Sequence, residues 1–135
     1  MTRRLLITGS RLWTDWGIPH FALAAEWYTH GPSVVLVSGA CPPRSNAVPG
    51  ADWICEYLWE SWGGTVKRCP AQWRVNGRID KSAGFRRNAE MAALPDIYKC
   101  LAFQLNDSSG TQNCMDECAK RHIPVSLFPL WRPTP

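Results

Sequence analysis

The sequence has no apolar run approaching the ~20 residues needed to cross a bilayer, so no membrane partner is expected. Met1-Thr2-Arg3-Arg4 leads straight into a strand-like segment without the cleavage region of a secretory signal, which implies a cytoplasmic protein. Histidine is scarce: His20, His30 and His122 are the only three, and none is spaced against the six cysteines as zinc ligands are. The cysteines form no CxxC pair either. No metal and no cofactor is therefore expected, and the thiols read as small apolar groups, mostly in the core. Charged residues are modest at 19%, against 45% hydrophobic, which excludes the charge-rich, core-poor composition of disordered chains.

What is present fits one domain. A chain of 135 residues supports one hydrophobic core and leaves little for a second. We read residues 1–128 as that domain and 129–135, with three prolines, as an extended tail. The net charge of +4 is local: between Lys67 and Arg87 seven basic residues stand against Asp80 alone, and the rest is nearly neutral. A local anion site explains this better than a nucleic-acid footprint spread over the surface.

Short apolar segments without helical period, each ending in a turn, predict strands at 4–8, 33–38, 65–69, 97–105 and 123–128. Helices are predicted between them. The first spans Pro19 to Tyr28, with Phe21, Ala24, Ala25 and Tyr28 at helical spacing, and stops at Gly31-Pro32. The others cover 51–62, with Ile54, Cys55, Leu58, Trp59 and Trp62 as the buried stripe, then 83–93 and 111–121. Residues 42–50 and 72–82 read as loops. Strands alternating with helix-length crossovers predict an α/β fold, a Rossmann-like parallel five-stranded sheet of order 3-2-1-4-5 with helices on both faces. Ligands bind such sheets at the C-terminal edge, where strands 1 and 4 send their connections in opposite directions.

Four turns should share that rim: Gly9-Ser10-Arg11, Gly39-Ala40-Cys41, the loop starting Pro70-Ala71-Gln72-Trp73, and Ser108-Ser109-Gly110-Thr111. The last opens a helix whose free N–H groups suit an anion. Arg86 and Arg87 point to different faces of one helix, so only one reaches the pocket, and arginine suits bidentate phosphate binding. Trp13 and Trp73 are candidates to stack on a base, while Trp27, Trp53, Trp59, Trp62 and Trp131 read as core or interface, which leaves a homodimer open. Asp52 either caps its helix or holds a ribose hydroxyl or a neighbouring arginine. Cys41 and Cys69 lie at strand ends, but no histidine is placed near either one to activate it.

These segments, GSRLWTD at 9–15, SGAC at 38–41, GADWICEYLWESWGG at 50–64, PAQW at 70–73, DKSAGFRRNAEM at 80–91 and SSGT at 108–111, resemble the YspA-like, YpsA-related branch of the SLOG superfamily. The likeness runs nearly the whole chain in order. It implies a Rossmann-like domain, frequent in actinobacteria and their phages, that binds nucleotides or nucleotide derivatives, signalling molecules among them. In the related Lonely Guy phosphoribohydrolases an arginine from an RK-containing helix and a glutamate from PGGxGTxxE cleave an N-glycosidic bond. GFRRNAEM resembles that helix, with Arg87 at the arginine and Asn88 at the lysine. The glutamate position, three residues after Thr111, is Cys114, so the carboxylate is missing; Glu117, nearly one turn on, is the candidate replacement.

The expectation is thus a nucleotide-derivative binder in which Arg87, Arg11 and the helix terminus at Ser109, Gly110 and Thr111 meet phosphate, Gly9, Ser10, Gly39 and Asp52 shape the sugar site, and Asn88 and Trp73 also contact the ligand. The enzyme alternative is an N-glycosidic hydrolase of nucleoside monophosphates or ADP-ribose-like molecules, with Arg87 and Glu117 catalytic. A second alternative is single-stranded nucleic-acid binding through the basic 67–87 segment.

Overall fold

The structure is a computed structural model and describes residues 2–133. Its elements are β1 (Arg4–Gly9), α1 (Gly17–His30), β2 (Val35–Ser38), α2 (Ala51–Ser61), β3 (Thr65–Arg68), β4 (Arg74–Val75), β5 (Arg78–Ile79), α3 (Ala83–Ala92), β6 (Ile97–Leu105), α4 (Ser109–Lys120) and β7 (Val125–Leu130). Five strands form a wholly parallel sheet of order β3-β2-β1-β6-β7, and β4 and β5 form a separate antiparallel ribbon. The expected α/β architecture and strand order hold.

Strand alternation divides the core in two. Leu5 and Ile7 of β1 point to one face, where they join Leu36, Leu101 and Phe103 under Ala22 and Leu23 of α1 and Ile54, Cys55 and Trp59 of α2. Leu6 points the other way and joins Val37 and Cys100 beneath Met91 and Ala92 of α3 and Cys114 and Cys118 of α4. The helix after β1 therefore covers one face and the helix after β6 the other. Because β1 and β6 are neighbours, a crevice opens between their C-terminal ends.

Four sequence expectations need correction. In α1 the buried residues are Pro19, Ala22, Leu23 and Glu26, whereas Phe21 and Tyr28 are 74% and 93% exposed. Glu26 disguised the inner face: its carboxylate accepts from Tyr98 Oη at 3.1 Å and Lys99 Nζ at 3.0 Å, so an acid sits where an apolar residue was sought. Residues 72–82 are not plain loop, because Asn76 and Gly77, with φ of 53° and 77°, close the β4–β5 hairpin. That dipeptide is a strong hairpin signal.

The last strand lies two residues later than the sequence predicts and takes in Pro129 and Leu130 from the expected tail. Pro129 is tolerated because β7 is an edge strand, where a missing N–H need break no pairing. Beyond it, the Asn106 side chain accepts from Arg132 N at 2.9 Å and donates to Arg132 O at 2.8 Å, pinning the tail. Residues 134–135 of the predicted tail lie outside the described residues. Finally, Trp13 is fully buried instead of standing on the rim. Its indole meets Phe103 edge-on at 5.7 Å and its Nε1 donates to Asp15 O, so it belongs to the core.

Candidate functional site

A cavity of about 350 Å³ lies over the C-terminal ends of β1 and β6. All eleven candidate ligand-binding residues, Gly9, Ser10, Arg11, Gly39, Asp52, Trp73, Arg87, Asn88, Ser109, Gly110 and Thr111, line it. Its size falls within the usual range for small-molecule sites. α3 contributes Phe85 and the stripe Gly84, Arg87, Asn88 and Met91, at i, i+3, i+4 and i+7. Arg86 leaves on the other side and pairs with Asp80, as the difference in face predicts.

Arg87 is held from three directions. Its Nη1 donates to Gly39 O and to Cys69 O at 3.3 Å, and its Nε donates to Asn88 Oδ1 at 3.0 Å. Nη2 has no hydrogen bond among the described residues, so one donor edge is preset and unspent. Asn88 completes the brace by donating from Nδ2 to Gly110 O at 3.2 Å and Asn113 Oδ1 at 3.0 Å. Its amide is thus committed to tying α3 to the start of α4. Gly39 lies close against this guanidinium: a Cβ there would stand 2.8 Å from Arg87 Cζ.

The α4 terminus is open. The first backbone amide to find its helical partner is Gln112 N, on Ser108 O at 3.1 Å, and among the described residues the N–H groups of Ser109, Gly110 and Thr111, all three lining the cavity, have no backbone partner. Ser108 Oγ donates to Thr111 Oγ1 at 2.8 Å instead of capping the backbone. Arg11, Lys81 and Arg87 stand against Asp52 in the lining, so the cavity favours an anion.

Asp52 is the single carboxylate of that lining, and it is buried. It makes no cap on its own helix; Oδ2 accepts from Cys41 N at 3.1 Å, joining the end of β2 to α2. Burial raises its pKa to about 6, against the lowering pull of the Cys41 amide and of Arg87. Burial, and then the Asp52 charge, push the Cys41 thiol above its ordinary value, and burial does the same to Cys69. Neither cysteine is an activated nucleophile.

Gly9 lines the cavity but is a packing glycine: a Cβ there would stand 2.3 Å from Ala51 Cβ and 2.8 Å from Phe103 O. Ser10 anchors the turn, with its N–H on Phe103 O at 3.0 Å and its Oγ accepting from Leu12 N at 3.1 Å. Arg11 does not stand alone, because its guanidinium lies over the Trp73 ring at 5.4 Å. The Trp73 ring edge packs on Gly84 at the start of α3, with Cη2 3.1 Å from where a Gly84 Cβ would stand.

Glu117 is outside the cavity lining and turned to neighbours on its own helix. It accepts from Arg121 Nη1 at 2.8 Å and Lys120 Nζ at 3.1 Å, and these bonds hold its carboxyl below the usual range. The structure therefore does not bring it to the cavity in place of the missing glutamate. Cys114 also fails to reach the cavity; it is fully buried in the core beneath α4. Thr8, Lys81 and Phe85 were not singled out from the sequence, although they line the site. Phe85 and Asn88 lie at i, i+3 on α3, a spacing that was readable once Arg87 was placed.

The Gene 61 protein of Mycobacterium phage D29 is 39% identical to this chain over 132 residues, covering 93% of this chain and 96% of the phage protein. No protein-family model matches the chain, and no solved structure matches it. At that identity and coverage the chain belongs to the family of the Mycobacterium phage D29 Gene 61 protein.

Proposed function

We propose that the cavity binds a nucleotide or nucleotide-derived small molecule through its phosphate, in keeping with the resemblance to the SLOG superfamily. The observation that carries this reading is the pairing of a braced Arg87, its Nη2 uncommitted, with the unpartnered amides of residues 109–111 across one cavity. A charge-assisted arginine bond and a helix terminus are the two devices that hold phosphate most economically. Asp52 and Ser10 then face the sugar, and the base lies toward Trp73 and Phe85. Because Arg11 covers a face of Trp73, a base stacks there by displacing the guanidinium or by extending along the exposed ring edge.

A hydrolytic reading has one observation in its favour, the buried Asp52 carboxylate in the lining with a pKa near neutrality. It replaces Glu117 as the acid to test. No comparable observation favours nucleic acid: in the basic 67–87 segment Arg68 is paired with Glu56 and Glu60, and Arg86 with Asp80. The test is a panel of AMP, other nucleoside monophosphates and ADP-ribose, read by thermal shift and by chromatography of free base. Stabilisation without base release is expected. Base release abolished by Asp52→Asn would establish the hydrolase instead, and salt-sensitive oligonucleotide binding with no nucleotide shift would contradict both.

A further inference from the structure

Beneath the cavity floor lies a second constellation, unrelated to phosphate. Cys100 of β6 and Cys114 and Cys118 of α4 bring their three Sγ atoms within 4.8 Å of one another, and all three residues are fully buried. The spacing of Cys114 and Cys118 puts both on one face of α4. β6 presents Cys100 to that face from the sheet, opposite Leu6 in the register with β1. Met91 packs in the same cluster and also lines the cavity, so a thioether stands between the thiols and the pocket. Thr8, another cavity residue, belongs to β1, the strand that also carries Leu6 of this cluster.

We propose that the three thiols form a binding site for a soft thiophilic cation of the Cu(I) type. Three sulfurs around one ion at a metal–sulfur distance of ~2.3 Å stand about 4 Å apart, so small side-chain adjustments close the trio on an ion. No fourth histidine, cysteine or carboxylate joins the cluster among the described residues. Structural zinc takes four ligands, whereas Cys and Met sulfur selects Cu(I). The apolar walls, Leu6, Val37, Ala92, Ile97 and Val125, exclude water as a fourth ligand. Each thiol that ligates gives its proton to solvent, so uptake weakens as pH falls; copper remains Cu(I) and no electron moves. The ion would reach the trio past Thr8 and Met91 from the cavity floor.

The experiment titrates reduced, anaerobic protein with Cu(I) against a chromophoric competitor. One equivalent per chain is expected, with sulfur-to-copper absorption in the near ultraviolet. Cys100→Ser and Cys118→Ser should each weaken binding by more than about 100-fold, exceeding the usual loss from outer-shell partners, while Cys69→Ser leaves it unchanged. Undiminished binding by both trio variants, or loss with Cys69→Ser, overturns the site. If the trio variants do not fold, X-ray absorption of the copper-loaded wild type decides: three sulfur neighbours support the site, and nitrogen or oxygen neighbours overturn it. Zn(II) that is retained against an equal concentration of Cu(I) overturns the choice of cation.

Discussion

Replacing Asp52 by asparagine keeps an oxygen to accept from Cys41 N but removes a carboxyl that burial has made reluctant to ionise. With its pKa raised from 3.8 to about 6, the folded chain holds this proton more tightly than the unfolded chain does. The stabilisation this provides is complete below pH 3.8 and is lost as pH rises through about 6. From these two values, linkage gives a loss of about 1.4 kcal/mol between pH 5 and pH 8. Glu60 and Glu117, whose pKa values are lowered by Arg68 and Arg121, shift stability the opposite way, but they are common to both proteins and cancel in the comparison. Urea unfolding followed by tryptophan fluorescence at pH 5 and pH 8 measures the difference. Between those pH values wild-type stability should fall about 1.4 kcal/mol further than that of Asp52→Asn. Parallel pH profiles would refute a buried, neutral-leaning Asp52 and remove the physical basis for giving it a role in the cavity.

Gly39→Ala should leave stability within about 1 kcal/mol, because the group it meets is the flexible end of Arg87, yet it should weaken nucleotide binding in calorimetry by displacing that guanidinium. Gly9→Ala meets Ala51 and the Phe103 carbonyl instead, so urea unfolding should show a loss of roughly 1–3 kcal/mol or more. Cys114→Glu places an unpaired carboxylate in the core and should cost roughly 3–5 kcal/mol, read as a fall in melting temperature, without creating base-releasing activity. Glu117→Gln should leave nucleotide affinity unchanged by calorimetry, since its carboxylate serves Lys120 and Arg121.

The strands were legible because each is a short run of apolar residues with no helical period, and residues 97–105 match β6 end to end. The rim was legible for the same reason: once strand ends are known, the turns that follow must share one edge. What escaped depended on side-chain phase and on packing between distant elements. Glu26 broke the apolar stripe of α1 because Tyr98 and Lys99, some seventy residues away, supply its partners. Trp13 turned inward to meet Phe103, which no local pattern records. Counting from Thr111 puts Cys114 at the glutamate position and Glu117 nearly one turn on, but the phase of α4 sends one into the core and the other to a surface ion pair. The convergence of Cys100 with Cys114 and Cys118 appears only when α4 is laid on β6.

The central claim is that Arg87 and the α4 terminus form one phosphate site, and calorimetric titration of wild type, Arg87→Ala and Arg78→Ala with the nucleotide that gives the largest thermal shift tests it most directly. Arg78 lies on the exposed β5 ribbon and outside the cavity lining, so it reports the diffuse electrostatic contribution alone. Arg87→Ala should weaken binding by about 1.5–3 kcal/mol, the range for a hydrogen bond to a charged group, and Arg78→Ala by much less. Equal losses at the two positions, or none at Arg87, would contradict the account.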